Sequence, residues 1–143
     1  MELNSKLFDH TILKPDASSS DVDRICKEAL EHNFASVCVN QYRTKQVATA
    51  LSDSDVKVCT VVGFPLGAVS SQVKAYETEL AIKDGADEID MVINVGALKD
   101  KDYDTVRADI TAVACVCKKS DVLLKVIIET CLLNDDEKKS PVN

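Results

Sequence analysis

Short β-branched runs alternate with helix-period stretches along the chain, and this alternation constrains the fold more than any other feature. The runs are Asp9 to Leu13, Ala35 to Asn40, Val56 to Gly63, Glu88 to Asn94 and Leu123 to Thr130. The first is weak; the others are rich in Val and Ile and too short for core helices, so all five are read as strands. Ser20 is a candidate cap for a helix with Val22, Ile25, Ala29 and Leu30 on one face, with Asp23 at the capping-box position. A second helix is expected from Arg43 to Leu51. A third follows Ser70 and Ser71, carries Val73, Tyr76 and Leu80 in step, and stops before Gly85. A fourth runs from Tyr103 to Lys118 with Val106, Ile110, Val113 and Cys117 on one stripe.

A βαβαβαβαβ order implies right-handed crossovers and a parallel sheet. Two architectures accommodate it: a complete flavodoxin-like doubly wound sheet, or the first five strands of a (β/α)8 barrel. The polar pattern separates them. Glu88, Asp90, Val92 and Asn94 share one face of the fourth run, and Lys125, Ile127 and Glu129 share one face of the fifth. A doubly wound sheet covers both faces with helices, where such groups are costly. The interior of a barrel near its C-terminal mouth accommodates them. No G-x-G-x-x-G follows the first run. The expectation is therefore an α/β fold, a partial TIM (β/α)8 barrel of five parallel strands, with residues 1–143 forming a single domain.

Composition narrows the function classes. The chain is 45% hydrophobic and 29% charged, with only 4 Gly and 3 Pro, as in a globular protein. A net charge of −7 argues against a nucleic-acid partner, since phosphate-binding faces draw on a Lys/Arg excess. No apolar run approaches the roughly 18 residues of a membrane span. The N-terminal residues Met1 to Lys6 lack the charged and apolar regions of a signal peptide, so the expectation is a cytoplasmic protein without a membrane partner. The six cysteines include no C-x-x-C pair, and most lie in apolar stretches, so they are read as buried reduced thiols rather than zinc ligands.

Two inward residues of opposite charge, Asp90 and Lys125, fall on adjacent strands. They admit a structural ion pair or a proton-handling pair at a barrel mouth. A lysine there also suits Schiff-base chemistry if its pKa is depressed.

Several segments carry a resemblance. They are Asp9-His10-Thr11-Ile12-Leu13-Lys14-Pro15, Cys38-Val39-Asn40, Gly63-Phe64-Pro65-Leu66-Gly67, Gly85 through Asn94 (GADEIDMVIN) and Leu124 through Thr130 (LKVIIET). In this order, from Leu7 to Glu137, the chain resembles the deoxyribose-phosphate aldolase family. The resemblance implies a TIM-barrel class I aldolase, a lyase of deoxyribonucleotide catabolism. It would cleave 2-deoxy-D-ribose 5-phosphate to D-glyceraldehyde 3-phosphate and acetaldehyde through a Schiff base, with no metal or organic cofactor. By motif, Asp90 matches the proton-relay aspartate and Lys125 the active-site lysine supporting it. Asp9 matches an acid contacting substrate hydroxyls, and Cys38 a pocket-lining cysteine. Thr11, Lys14, Asn40 and Asn94 are further pocket candidates.

The resemblance also implies a Schiff-base lysine on a sixth strand, in a motif like K-T-S-T-G, and a second lysine on a seventh, in one like K-P-A-G-G. Neither motif is present in these residues. Asn134-Asp135-Asp136-Glu137 is a capping box announcing a further helix, and only six residues follow it. Five strands do not close a barrel of shear eight. Two exposed sheet edges and an open inner face favour homo-oligomerisation or pairing with a complementing C-terminal fragment. The alternative to an aldolase is a catalytically inactive half-barrel, or a binding partner of a full-length aldolase.

Overall fold

A computed structural model describes residues 4–139. Five strands, β1 (Asp9–Ile12), β2 (Ser36–Asn40), β3 (Lys57–Val62), β4 (Glu88–Val92) and β5 (Leu123–Ile127), pair in parallel in the order β1-β2-β3-β4-β5. This order decides the architecture. A doubly wound sheet reverses direction at a switch point and places helices on both faces; strictly sequential order winds every crossover the same way, as in a barrel wall. Among the described residues β1 pairs only with β2 and β5 only with β4, so the wall is open at both edges.

The helices are α1 (Ser19–His32), α2 (Thr44–Ala50), α3 (Ser71–Lys83), α4 (Val95–Lys99), α5 (Tyr103–Lys119) and α6 (Asp135–Lys139). Alternate residues of each strand face this layer. Val37 and Val39 of β2 and Val58 of β3 pack on Val22, Ile25 and Ala29 of α1 and on Val47 of α2. Val62, Ile89 and Met91 pack on Ala81 of α3 and on Val113 and Cys117 of α5. Each buried Val, Ile or Met side chain among these contributes about 1.5–3 kcal/mol. The opposite residues of each strand, from Asp9 through Lys125, form the concave inner face. No helix of the described residues is long and apolar enough to cross a membrane.

The structure corrects several sequence expectations. The cap of α1 is Ser18, not Ser20, and its box partner is Asp21, not Asp23: Asp21 N–H donates to Ser18 Oγ, and Ser18 N–H to Asp21 Oδ2. The buried side of α3 is Lys74, Thr78 and Ala81, whereas Val73 and Tyr76 are exposed. The cause is Lys74, whose ammonium donates to Asp109 Oδ2 of α5 at 2.5 Å and to Val92 O of β4 at 2.9 Å. That pair turns a charged face inward and rotates the apolar stripe outward. The fourth and fifth strands end early. Asn94 caps α4 by accepting from Ala97 N–H, and Glu129 adopts a left-handed conformation, φ 54°. Neither continues the inward face assigned to it. The announced last helix is present as α6, capped reciprocally by Asn134 and Glu137. Residues 140–143 lie outside the described part.

Candidate active site

Lys125 organises the inner face. It lies opposite Asp90 in the β4–β5 register, as adjacent-strand inward residues must. Its ammonium reaches three carboxylates: Asp9 Oδ2 at 3.0 Å, Glu88 Oε2 at 3.0 Å and Asp90 Oδ1 at 3.2 Å. It also lies 3.8 Å from Cys59 Sγ. Glu88 and Asp90 are two residues apart on β4, so strand periodicity places both on the inner face. Asp9 comes from the far edge of the sheet, and only the curvature of the wall carries it to β5.

The electrostatics follow from this crowding. Burial alone would lower the Lys125 pKa, but hydrogen bonds to Glu88 and Asp9, with the charge of Asp90 nearby, outweigh it and hold the ammonium well above its ordinary range. Burial likewise works against the Asp9 carboxylate. Hydrogen bonds from Ser36 Oγ, at 2.8 Å, and from Lys125 overcome it and lower its pKa. The Cys59 thiol is driven strongly upward by its hydrogen bond with Cys38, then by burial, then by the neighbouring charge of Asp90. The arrangement can hold one permanent ammonium among three carboxylates. It does not make Lys125 a free amine, since three acidic neighbours favour its charged form.

The remaining sequence-derived candidates fall in different places. Cys38 is buried beside Cys59 on the inner face, next to the Lys125 cluster. Thr11 is exposed on β1, in register with Cys38, and donates from Oγ1 to Asp9 O. Asn40, at the end of β2, donates from Nδ2 to Leu13 O at 3.2 Å and joins two mouth loops. Asn40 and Lys14 line a separate cavity of about 520 Å³ at the C-terminal ends of β1 to β3, with Leu13, Tyr42, Arg43 and Phe64. Asn94 joins neither group, because its side chain caps α4. Three residues of the cluster were not among the candidates: Glu88, Ser36 and Cys59. Glu88 was readable from its two-residue spacing to Asp90. Ser36 and Cys59 carry no sequence signal of their own and emerge only from register, Ser36 opposite Asp9 and Cys59 opposite Cys38.

Comparison with known proteins gives the family and the fold. The DeoC/LacD family aldolase profile matches residues 5–141. The chain belongs to this aldolase family. A deoxyribose-phosphate aldolase from Clostridium perfringens is 58% identical over 134 residues, which cover 94% of this chain and 59% of that protein. A crystal structure from Coccidioides immitis, provisionally described as a deoxyribose-phosphate aldolase, superposes with a TM-score of 0.93 at 39% identity, covering 96% of this chain and 53% of that one. A tetrameric deoxyribose phosphate aldolase from Aeropyrum pernix superposes with a TM-score of 0.87 at 27% identity, covering 96% of this chain and 57% of that one. This member of the aldolase family thus spans about three-fifths of the length of the curated relative it matches.

Proposed function

We propose that this chain carries the proton-handling part of a Schiff-base aldolase acting on 2-deoxy-D-ribose 5-phosphate. The observation that carries the reading is the Lys125 ammonium held among Asp9, Glu88 and Asp90 on the concave face of a barrel wall. In such an aldolase a lysine amine condenses with the substrate carbonyl and loses water. The resulting iminium accepts the electron pair of the breaking carbon–carbon bond, while a base takes the hydroxyl proton of the departing aldehyde. The enamine is then reprotonated and hydrolysed, releasing acetaldehyde and the free lysine. Asp90 is the group we assign to accept and return protons. Lys125 orients it and stays charged. To Asp9 and Thr11 we assign contacts with substrate hydroxyls from the β1 edge, and to Asn40 the shaping of the mouth. The nucleophile belongs to a segment other than the five strands seen here.

A homo-oligomer goes with this reading, because among the described residues β1 and β5 each leave one edge of the sheet unpaired and the Aeropyrum pernix relative is tetrameric. A cytoplasmic location also goes with it, supported by six free cysteines, four of them buried.

The test is reductive trapping. The purified chain is treated with acetaldehyde and borohydride, and its peptides are mapped. The expected result is no preferential adduct at Lys125 relative to exposed lysines such as Lys45, and no cleavage of deoxyribose 5-phosphate by the 143-residue chain alone. Selective modification of Lys125 would overturn the division of roles.

A further inference from the structure

Cysteine spacing along the chain offers no metal site, but the sheet supplies a spacing the chain does not. Cys38 and Cys59 are register partners on β2 and β3, both on the inner face. Their sulfurs and a carboxylate oxygen of Asp90 all lie within 4.8 Å of one another. We propose that Cys38, Cys59 and Asp90 form a binding site for a soft divalent cation of the zinc and cadmium class.

The geometry is close to what such an ion requires. Zinc bonds of about 2.3 Å to sulfur and about 2.0 Å to oxygen, arranged tetrahedrally, need sulfur–sulfur distances of about 3.8 Å and sulfur–oxygen distances of about 3.5 Å. Side-chain rotation within the cluster supplies a contraction of at most about 1.3 Å. Two thiolates select a soft ion over magnesium or calcium. Asp90 also has an oxygen to spare: its Oδ1 is buried and accepts no hydrogen bond, although Lys125 Nζ lies 3.2 Å away. The fourth position is left for water.

Charge and competition define how the site works. Three carboxylates against one ammonium leave an excess of two negative charges around Lys125. Binding releases the two thiol protons as the divalent ion enters, so the formal charge of the cluster is unchanged. Lys125 is the competitor, close to both Cys59 Sγ and Asp90 Oδ1. It gives way without being stranded, because Asp9 and Glu88 each hold it at 3.0 Å. An ion seated here occupies a carboxylate oxygen of Asp90, the group to which the proposed function assigns proton transfer, so it would block the aldolase chemistry.

The test is titration of the reduced chain with cadmium chloride, read by the ultraviolet thiolate-to-cadmium absorption and by proton release into dilute buffer, with circular dichroism reporting the fold. One ion per chain and two protons per ion are expected, with apparent affinity rising about a hundredfold per pH unit across the neutral range. Cys38→Ser and Cys59→Ser should each weaken binding at least about tenfold. Cys115→Ser and Cys131→Ser, at the two exposed thiols, should leave it unchanged. Lys125→Met should tighten it by removing the competing ammonium. The proposal is overturned if the folded chain takes up no cadmium, if the absorption survives in the Cys38→Ser/Cys59→Ser double variant, or if Lys125→Met weakens binding. Should a serine variant fail to fold, the proton count on the unaltered chain and the Lys125→Met result still decide.

Discussion

Replacing Asp109 with leucine strands an ammonium in the core. Lys74 is wholly buried and Asp109 is 1% exposed. The Lys74 ammonium has two partners, Asp109 Oδ2 and Val92 O. Removing one partner of a buried pair costs about 3–5 kcal/mol, a large part of the roughly 5–15 kcal/mol that holds a domain of this size together. At about 4 °C per kcal/mol, the melting temperature should fall by about 10–20 °C. The Lys74→Met/Asp109→Leu double variant should recover most of this, because an apolar pair of similar volume removes both desolvation penalties. It should fall short by about 1 kcal/mol, the hydrogen bond that Val92 O loses. Urea unfolding followed by circular dichroism on the wild type, both single variants and the double variant closes the cycle; since Lys74→Met strands the Asp109 carboxylate as Asp109→Leu strands the ammonium, a coupling of at least about 5 kcal/mol is expected. A cost below about 1 kcal/mol for Asp109→Leu, or a coupling near zero, would refute the reasoning.

Three further outcomes follow from other parts of the molecule. Ser18→Ala removes one half of the α1 capping box and should cost about 1 kcal/mol in the same unfolding assay. Ellman's reagent should react quickly with Cys115 and Cys131 and slowly with the four buried thiols, among them Cys26, which burial and then the charge of Asp23 push up to about 11. Because the folded Asp9 pKa is depressed, its contribution to stability is present above its ordinary value of 3.8 and fades as pH falls through the folded value. Because the folded Lys125 pKa is raised, its contribution is full below 10.5 and fades only as pH rises through the folded value. Lys125→Met should therefore flatten the melting-temperature profile at both its acid and its alkaline ends; an unchanged acid slope would contradict the Asp9–Lys125 coupling.

The parts of the fold legible in the sequence are those with short-range causes. Two-residue periodicity places Glu88 and Asp90 on one face, and β-branched runs broken by helical stretches imply a parallel sheet. With Asp90 and Lys125 on adjacent strands of that sheet, their meeting needs no further information. The contacts that escaped depend on the third dimension. Asp9 reaches Lys125 across 116 residues only because the sheet curves. Nothing in the sequence around Lys74 marks it as buried, because its partner Asp109 lies 35 residues away on a different helix. Val73 and Tyr76 therefore appeared as the buried stripe of α3. Asn94 and Glu129 were extrapolated along strands that end at Val92 and Ile127, where a helix cap and a left-handed residue take over.

The most direct measurement of the central claim separates proton handling from Schiff-base formation. The chain is joined to the part of the Clostridium perfringens relative that lies outside the matched region, and cleavage of deoxyribose 5-phosphate is followed by coupled NADH oxidation. The account predicts that the fusion cleaves the substrate and that Asp90→Asn slows cleavage by about 10²–10⁴-fold, the range of general acid–base catalysis, while borohydride trapping of the Schiff base persists. A folded Asp90→Asn fusion that traps the Schiff base and cleaves at the undiminished rate would contradict it.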